Sequence, residues 1–299
     1  MKSYYKIFLY KYLRGDTIKS YQKAIRLLQR NCNVMYPNEI SSLLLLDWRR
    51  TAVGSNIKPI TWNSYLRHIK AIYKFGIEQN LLDYQDNPCN KLFLREGKAK
   101  RKILSSTELA KLDFFLQGAH NLPGILNPVW FVETLIKTFR YTAIRRAQLI
   151  KLKVGDIDLV SRIIHISPEI NKNHHSHTIP ISDKLFPYLQ NLILELKRAN
   201  QTNDCQLFNF NLFCPLSRNR AKNTSEHQIS HIFKVISRSV GFNVSPHRFR
   251  HTVATNLMKN PNNLYVAKQL LGHRDIKVTL TYIEDDVEMI RDTVNSALL

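Results

Sequence analysis

The stretch Leu271-Gly-His-Arg-Asp-Ile-Lys-Val-Thr-Leu-Thr-Tyr282 decides how this chain is read. Gly272 stops a helix that runs from about Pro261 and presents His273 in the turn beyond it, ahead of Tyr282. Upstream stands His247-Arg-Phe-Arg-His-Thr252. Ser245-Pro246 supplies an N-cap followed by proline at the first helical position, so His247, Arg250 and His251 fall on a common helix face. A phosphate in mid-transfer needs arginines on its equatorial oxygens and an activated hydroxyl in line with its leaving group. Two basic motifs closing on a tyrosine therefore point to phosphodiester chemistry with a tyrosine nucleophile.

Charge points to the same kind of partner. Lys and Arg total 44 against 23 Asp and Glu, a formal net charge of +21, which is too lopsided for solubility alone. The basic residues cluster, as in Lys98-Ala-Lys-Arg-Lys102, Arg145-Arg146 and Arg218-Asn-Arg220, so the expected partner is a polyanion, and nucleic acid before a membrane surface. No apolar run approaches the roughly 20 residues that a spanning helix requires. Lys6 and Lys11 also interrupt any signal-like core near the N-terminus, so the expected location is the cytoplasm. Cys32, Cys89, Cys205 and Cys214 include no C-x-x-C pair, so neither a zinc ribbon nor a disulfide framework is indicated.

Periodicity divides the chain into a helical N-terminal domain over 1–95, a basic linker over 96–104, a second domain over 105–282 and a tail over 283–299. In the first domain Tyr21, Ala24, Ile25 and Leu28 form one apolar stripe, and Trp62, Tyr65, Leu66, Ile69, Ile72, Tyr73 and Ile77 another. Asn63, Arg67, Lys70 and Lys74 share the opposite face, which suits either solvent or a DNA backbone. Ser105 and Glu108 form a capping box at the start of the second domain, where helices dominate. The exception is Ile163-Ile-His-Ile166 and Thr178-Ile-Pro-Ile181 flanking Asn171-Lys-Asn-His-His-Ser176, which reads as strand, turn, strand. Val287, Ile290, Val294 and Leu298 predict a short amphipathic tail helix able to pack at home or on a neighbour. The fold class expected is mainly α with a small antiparallel β-sheet.

Four elements in order resemble the tyrosine recombinases, the phage-integrase family, over roughly residues 105–285. Thr142-Ala-Ile-Arg-Arg-Ala-Gln-Leu149 is similar to the family's T-G-hydrophobic-R-x-x-E-L motif, in a register that selects Arg145 over Arg146. Lys172 matches the lysine on a β-turn before a strand ending in proline, His247-Arg-Phe-Arg-His-Thr252 matches H-x-x-R-H-T, and Leu271-Gly-His273 with Tyr282 completes the set. Ala143 replaces the usual glycine, and Gln148 the usual glutamate.

The resemblance implies a helical core-DNA-binding domain and a catalytic domain closing on double-stranded DNA as a C-shaped clamp. It implies site-specific recombination through a covalent 3′-phosphotyrosyl intermediate on Tyr282. Arg145 and Arg250 would clamp the nonbridging oxygens, His247 accept the tyrosine proton, Lys172 protonate the departing 5′ oxygen and His273 bond a nonbridging oxygen, with His251 in support. It further implies a homo-tetramer on two recombining sites, with the tail helix as a candidate contact. Neither a cofactor nor a metal is implied.

Other readings stay open on the residues alone. His247 and His251 lie four apart as in a zinc-protease helix, but Arg248 stands where a general-base glutamate would be. His174, His175 and His177 on one turn offer a metal set, and Asp156 and Asp158 echo metal-dependent nucleases without a third partner. The competing functional classes are a DNA-binding architectural or regulatory protein with an inert site, and a supercoil-relaxing enzyme of the type IB topoisomerase kind.

Overall fold

The computed structural model describes residues 13, 15–97, 103–118, 122–171, 175–214, 216, 222–283 and 295. The chain forms two compact units, 1–99 and 100–299. The basic stretch 98–102 of the expected linker lies outside the described residues. So do 284–294 and 296–299, where the tail helix is expected.

In the first unit, helices α1 (Gly15–Cys32), α2 (Ser42–Gly54) and α3 (Pro59–Glu78) bury the stripes set by their 3.6-residue period. Ala24, Leu28, Leu45, Trp48, Trp62, Leu66 and Ile69 make one core, in which Trp48 meets Trp62 edge-on at 5.1 Å. The polar stripe of α3 departs from its expected exposure. Asn63 is buried because the segment following the helix folds back over it: its side chain accepts from the Leu94 N–H and donates to the Leu94 carbonyl, both at 2.8 Å. Arg67 pairs with Glu96 at 3.0 Å, and Lys74 with Glu78 at 3.6 Å, so part of this stripe already has partners within the unit.

The second unit is mainly helical around a small sheet. Its helices are α4 (Ser106–Gln117), α5 (Val129–Thr142), α6 (Arg146–Leu149), α7 (Phe186–Arg198), α8 (Phe210–Phe213), α9 (Glu226–Val240), α10 (Pro246–Met258), α11 (Leu264–Leu271) and α12 (Ile276–Leu280). Strands β1 (Ile157–Asp158), β2 (Ile163–Ile166) and β3 (His177–Pro180) pair antiparallel in the order β1-β2-β3. Alternation explains the sheet: Ile164, Ile166, Ile179 and Ile181 are buried, whereas His165, Thr178 and Pro180 face out. The register places Ile166 opposite His177, which brings His177 to the start of β3.

Helix α5 runs through the core with Phe131, Val132, Leu135, Ile136 and Phe139 fully buried. Helix α10 is fastened to the start of α4, because the Leu104 N–H donates to Thr252 Oγ1 at 2.8 Å and Arg248 reaches Glu108 at 3.2 Å and the Ile103 carbonyl. Ala143, Ala254, Met258, Ala267 and Leu271 form a satellite cluster in which the three alanines let α10, α11 and the turn after α5 approach closely; Tyr282 completes it. No helix among the described residues is long and apolar enough to cross a membrane.

Candidate active site

The site grows from three chain breaks. The first is the turn between α5 and α6. Ala143 caps α5 in the left-handed region at φ 53, a conformation that costs a non-glycine residue about 1 kcal/mol. Arg145 then takes extended geometry at the N-terminus of α6, where its N–H donates to Gln148 Oε1 at 3.0 Å. Glutamine thus fills the capping role of the usual glutamate without its charge. The turn splits the paired arginines. Arg146 points to the surface, bound to Glu226 at 2.9 Å and Ser230 at 2.6 Å, whereas Arg145 turns inward, and its Nη1 is buried without a hydrogen-bond partner among the described residues. Burial lowers the Arg145 pKa, with Tyr282 opposing that shift.

The second break is the start of α10, where Ser245 Oγ accepts from the Arg248 N–H at 3.3 Å and sets the helix phase. Arg250, only 4% exposed, is thereby aimed into the unit. Its Nη1 donates to the Ala143 carbonyl at 2.9 Å, and its Nη2 to the Leu271 carbonyl at 2.7 Å and to His273 Nε2 at 2.9 Å. It also hydrogen-bonds the Tyr282 side chain. Burial first, and then Arg145, bring its pKa down to about 10, which leaves it a cation at neutral pH.

The third break is the Gly272 turn. Gly272 ends α11 at φ 59, and a Cβ there would lie 2.9 Å from His177 Cε1, so the position requires glycine on both counts. His273 comes next. Because a guanidinium N–H only donates, His273 Nε2 accepts from Arg250, and Nδ1 carries the proton that meets Thr279 Oγ1 at 2.9 Å. Burial, Arg250 and Arg145 push the His273 pKa down to about 4. Tyr282, 7% exposed, lies just past α12 with its N–H on the Thr279 carbonyl at 2.9 Å. Its ring stacks on His273 at 6.1 Å between centroids and tilts against His251 at 5.6 Å.

Of the residues singled out in the sequence, Arg145, Arg250, His273 and Tyr282 come together in one cluster of this unit. His247 lies on the same face of α10, exposed, with its ring 5.2 Å from that of His251. Partial desolvation of its ring, followed by Arg250, Arg146 and Arg145, lowers its pKa, which favours the neutral form that can accept a proton. Of the two α10 histidines, His251, to which the motif assigns only a supporting place, is the one whose ring packs on Tyr282. Lys172 and His174 lie outside the described residues.

One neighbour of the pocket carries no signal of its own in the sequence. His177, which reads there only as part of a metal-ligand trio, packs its ring against Gly272, and burial together with Arg145 and Arg250 pushes its pKa down to about 4. Two guanidiniums so close disfavour a metal cation, since both would repel it.

Residues 131–289 match the phage integrase family, and the chain belongs to that family. A Pseudomonas aeruginosa protein provisionally named tyrosine recombinase XerC is 30% identical over 296 residues, which span 96% of this chain and 69% of that protein. A Pseudomonas syringae relative of the same name is 30% identical over 95% of this chain, but the chain spans only 61% of its length. Among solved structures, the Tn1549 transposon integrase in complex with a circular intermediate DNA aligns with a TM-score of 0.74 at 16% identity, covering 98% of both chains. A λ integrase dimer bound to a COC′ core site aligns at 0.71 and 17% identity, covering 96% of both. These two share the fold of this chain.

Proposed function

We propose that the protein is a site-specific DNA recombinase or integrase that cleaves and rejoins double-stranded DNA through a 3′-phosphotyrosyl bond to Tyr282. The observation that carries this reading is the buried Nη1 of Arg145, unpartnered among the described residues and clustered with a second arginine and a tyrosine hydroxyl. A buried donor without an acceptor costs about 1–3 kcal/mol, and an anionic phosphodiester oxygen removes that cost.

In the proposed step Tyr282 Oη attacks phosphorus, its proton passing to His247, while the bond from phosphorus to the 5′ oxygen breaks. Lys172 supplies the proton that the 5′ oxygen takes away. Arg145 and Arg250 hold the nonbridging oxygens as charge accumulates, and His273, whose Nε2 accepts from Arg250, orients that guanidinium rather than bonding an oxygen itself. The phosphotyrosine conserves the energy of the broken bond, so attack by a second strand's 5′ hydroxyl reseals DNA without a metal or a nucleoside triphosphate. Exchange between two duplexes requires four active sites, hence a homo-tetramer, to which the tail over 283–299 is a candidate contributor. The relatives' names and the DNA carried by the two integrase structures support this reading, as does the net charge of +21. The expected compartment is the cytoplasm.

The test is a nicked suicide duplex, from which the severed end diffuses away. Wild-type protein is expected to accumulate a covalent adduct and to join two distinct duplexes. Binding without an adduct would favour an architectural DNA-binding protein; an adduct without joining of two duplexes would favour a topoisomerase.

A further inference from the structure

A chain of hydrogen bonds leads from Arg145 to His177, and its direction is fixed at one end. The Arg145 main-chain N–H can only donate, so Gln148 presents Oε1 to it at 3.0 Å, and Gln148 Nε2 must be the donor that meets Asn171 Oδ1 at 3.3 Å. Asn171 Nδ2 then donates to the His175 carbonyl at 2.6 Å and faces His177 Nδ1 at 3.4 Å. Nδ1 is therefore the acceptor, and in a neutral imidazole the proton sits on Nε2. Gln148 and Asn171 are both 2% exposed, so water does not compete for these bonds. The Cε1 and Nε2 edge of His177 lies against the bare Cα of Gly272, between Leu271, whose carbonyl holds Arg250, and His273, whose ring accepts from it.

We propose that His177 is a further phosphate-binding residue, whose Nε2–H donates to a nonbridging oxygen of the phosphodiester held by Arg145 and Arg250, and that Gln148 and Asn171 are positioning residues that fix its tautomer. This rests on the DNA-cleavage reading above. Burial and both guanidiniums hold the His177 pKa to about 4, so the ring is neutral near pH 7 and has one donor to place. The inference also gives the departure at Gln148 a purpose. A glutamate would still cap Arg145 but has no N–H for Asn171 Oδ1. Repulsion between the glutamate and Asn171 Oδ1 would push Asn171 out of place, and His177 Nδ1 would lose the donor that fixes its tautomer.

The test is single-turnover cleavage of the nicked suicide duplex, with a natural scissile phosphate and with each of the two methylphosphonate diastereomers, in which a methyl replaces one nonbridging oxygen. Melting temperature and duplex Kd are measured alongside. His177→Phe is expected to cleave the natural phosphate about 10- to 100-fold more slowly, the loss of one hydrogen bond to a charged group. On the diastereomer lacking the oxygen that His177 holds, this variant and wild type are expected to match. His177→Gln, which keeps an N–H near the place of Nε2, recovers most of the rate. Gln148→Glu loses about as much as His177→Phe and costs nothing further when combined with it. Equal losses on both diastereomers, or an unchanged rate in His177→Phe, would overturn the proposal while leaving the recombinase reading intact. Failure of wild type itself to form an adduct would overturn that reading and this inference with it.

Discussion

The two halves of the pocket hold their arginines in opposite states. On the α10 side, most of the Arg250 donors are engaged: its guanidinium carries the Ala143 and Leu271 carbonyls, His273 and Tyr282, tying three separate turns into one structure. On the α6 side, Arg145 is held by its backbone while one guanidinium nitrogen, Nη1, is buried with no hydrogen-bond partner among the described residues. One arginine therefore builds the site, and in the proposed reaction the other is left to meet the phosphate. Stability stored in the first offsets the cost of the second, a pattern expected where a pocket is shaped for an anion.

Exchanging each arginine for methionine should break this contrast most sharply. Either variant is expected to lose at least about a thousandfold in suicide-substrate cleavage, because each removes a charge that acts on the transition state. Their stabilities should diverge. Arg250→Met leaves the Ala143 and Leu271 carbonyls and His273 Nε2 without their donor, at about 1–3 kcal/mol for each group that stays dry. Arg145→Met removes an orphaned donor and should be neutral or stabilising by about 1 kcal/mol in denaturant titrations without DNA. Equal destabilisation of the two would erase the distinction.

Salt should act next most strongly. If about four phosphates are neutralised, duplex affinity is expected to fall about a hundredfold between 50 and 200 mM salt. A flat profile would mean that the excess positive charge is not directed at a DNA backbone.

Acid should sharpen the picture further. His177 and His273 have folded pKa values near 4 against about 6.5 in the unfolded chain. Between those values the unfolded state takes up protons that the folded state refuses, so stability falls as the pH drops from 6.5 toward 4 and this loss stops growing below that. The melting temperature of the free protein is expected to be lower at pH 5 than at pH 7.5, and bound duplex should reduce the difference by supplying negative charge. A melting temperature that rises on acidification would place both imidazoles away from the guanidiniums.

Ala143→Gly should do least. Relief of the left-handed strain, about 1 kcal/mol, is nearly matched by loss of a buried methyl worth about 0.8 kcal/mol. A change in melting temperature of no more than a few degrees is expected.

Much of this architecture can be read in the chain because its signals are local. The Ser245-Pro246 cap, the Gly272 stop and the alternating isoleucines of β2 and β3 each act within a few residues, and each appears where its chemistry requires. The features that escape such a reading depend on partners distant in sequence. The burial of Asn63 needs the segment near Leu94 to fold back over α3, and no periodicity within the helix announces that. His177 reads as one of several histidines on a polar turn until β3 brings it against Gly272, nearly a hundred residues later. The choice between Arg145 and Arg146 lies in between: the motif register selects the first, and Glu226, far along the chain, draws the second away.

The most direct measurement is to trap the protein on a nicked suicide duplex, digest the adduct with trypsin and identify the peptide that carries DNA. Cleavage after Lys277 and Arg291 releases Val278–Arg291, whose one tyrosine is Tyr282. The DNA is expected on that peptide as a 3′-phosphotyrosine, and absent from the Tyr282→Phe variant, which should still bind duplex. DNA attached to any other residue, or cleavage that persists without Tyr282, would contradict the assignment on which the whole site rests.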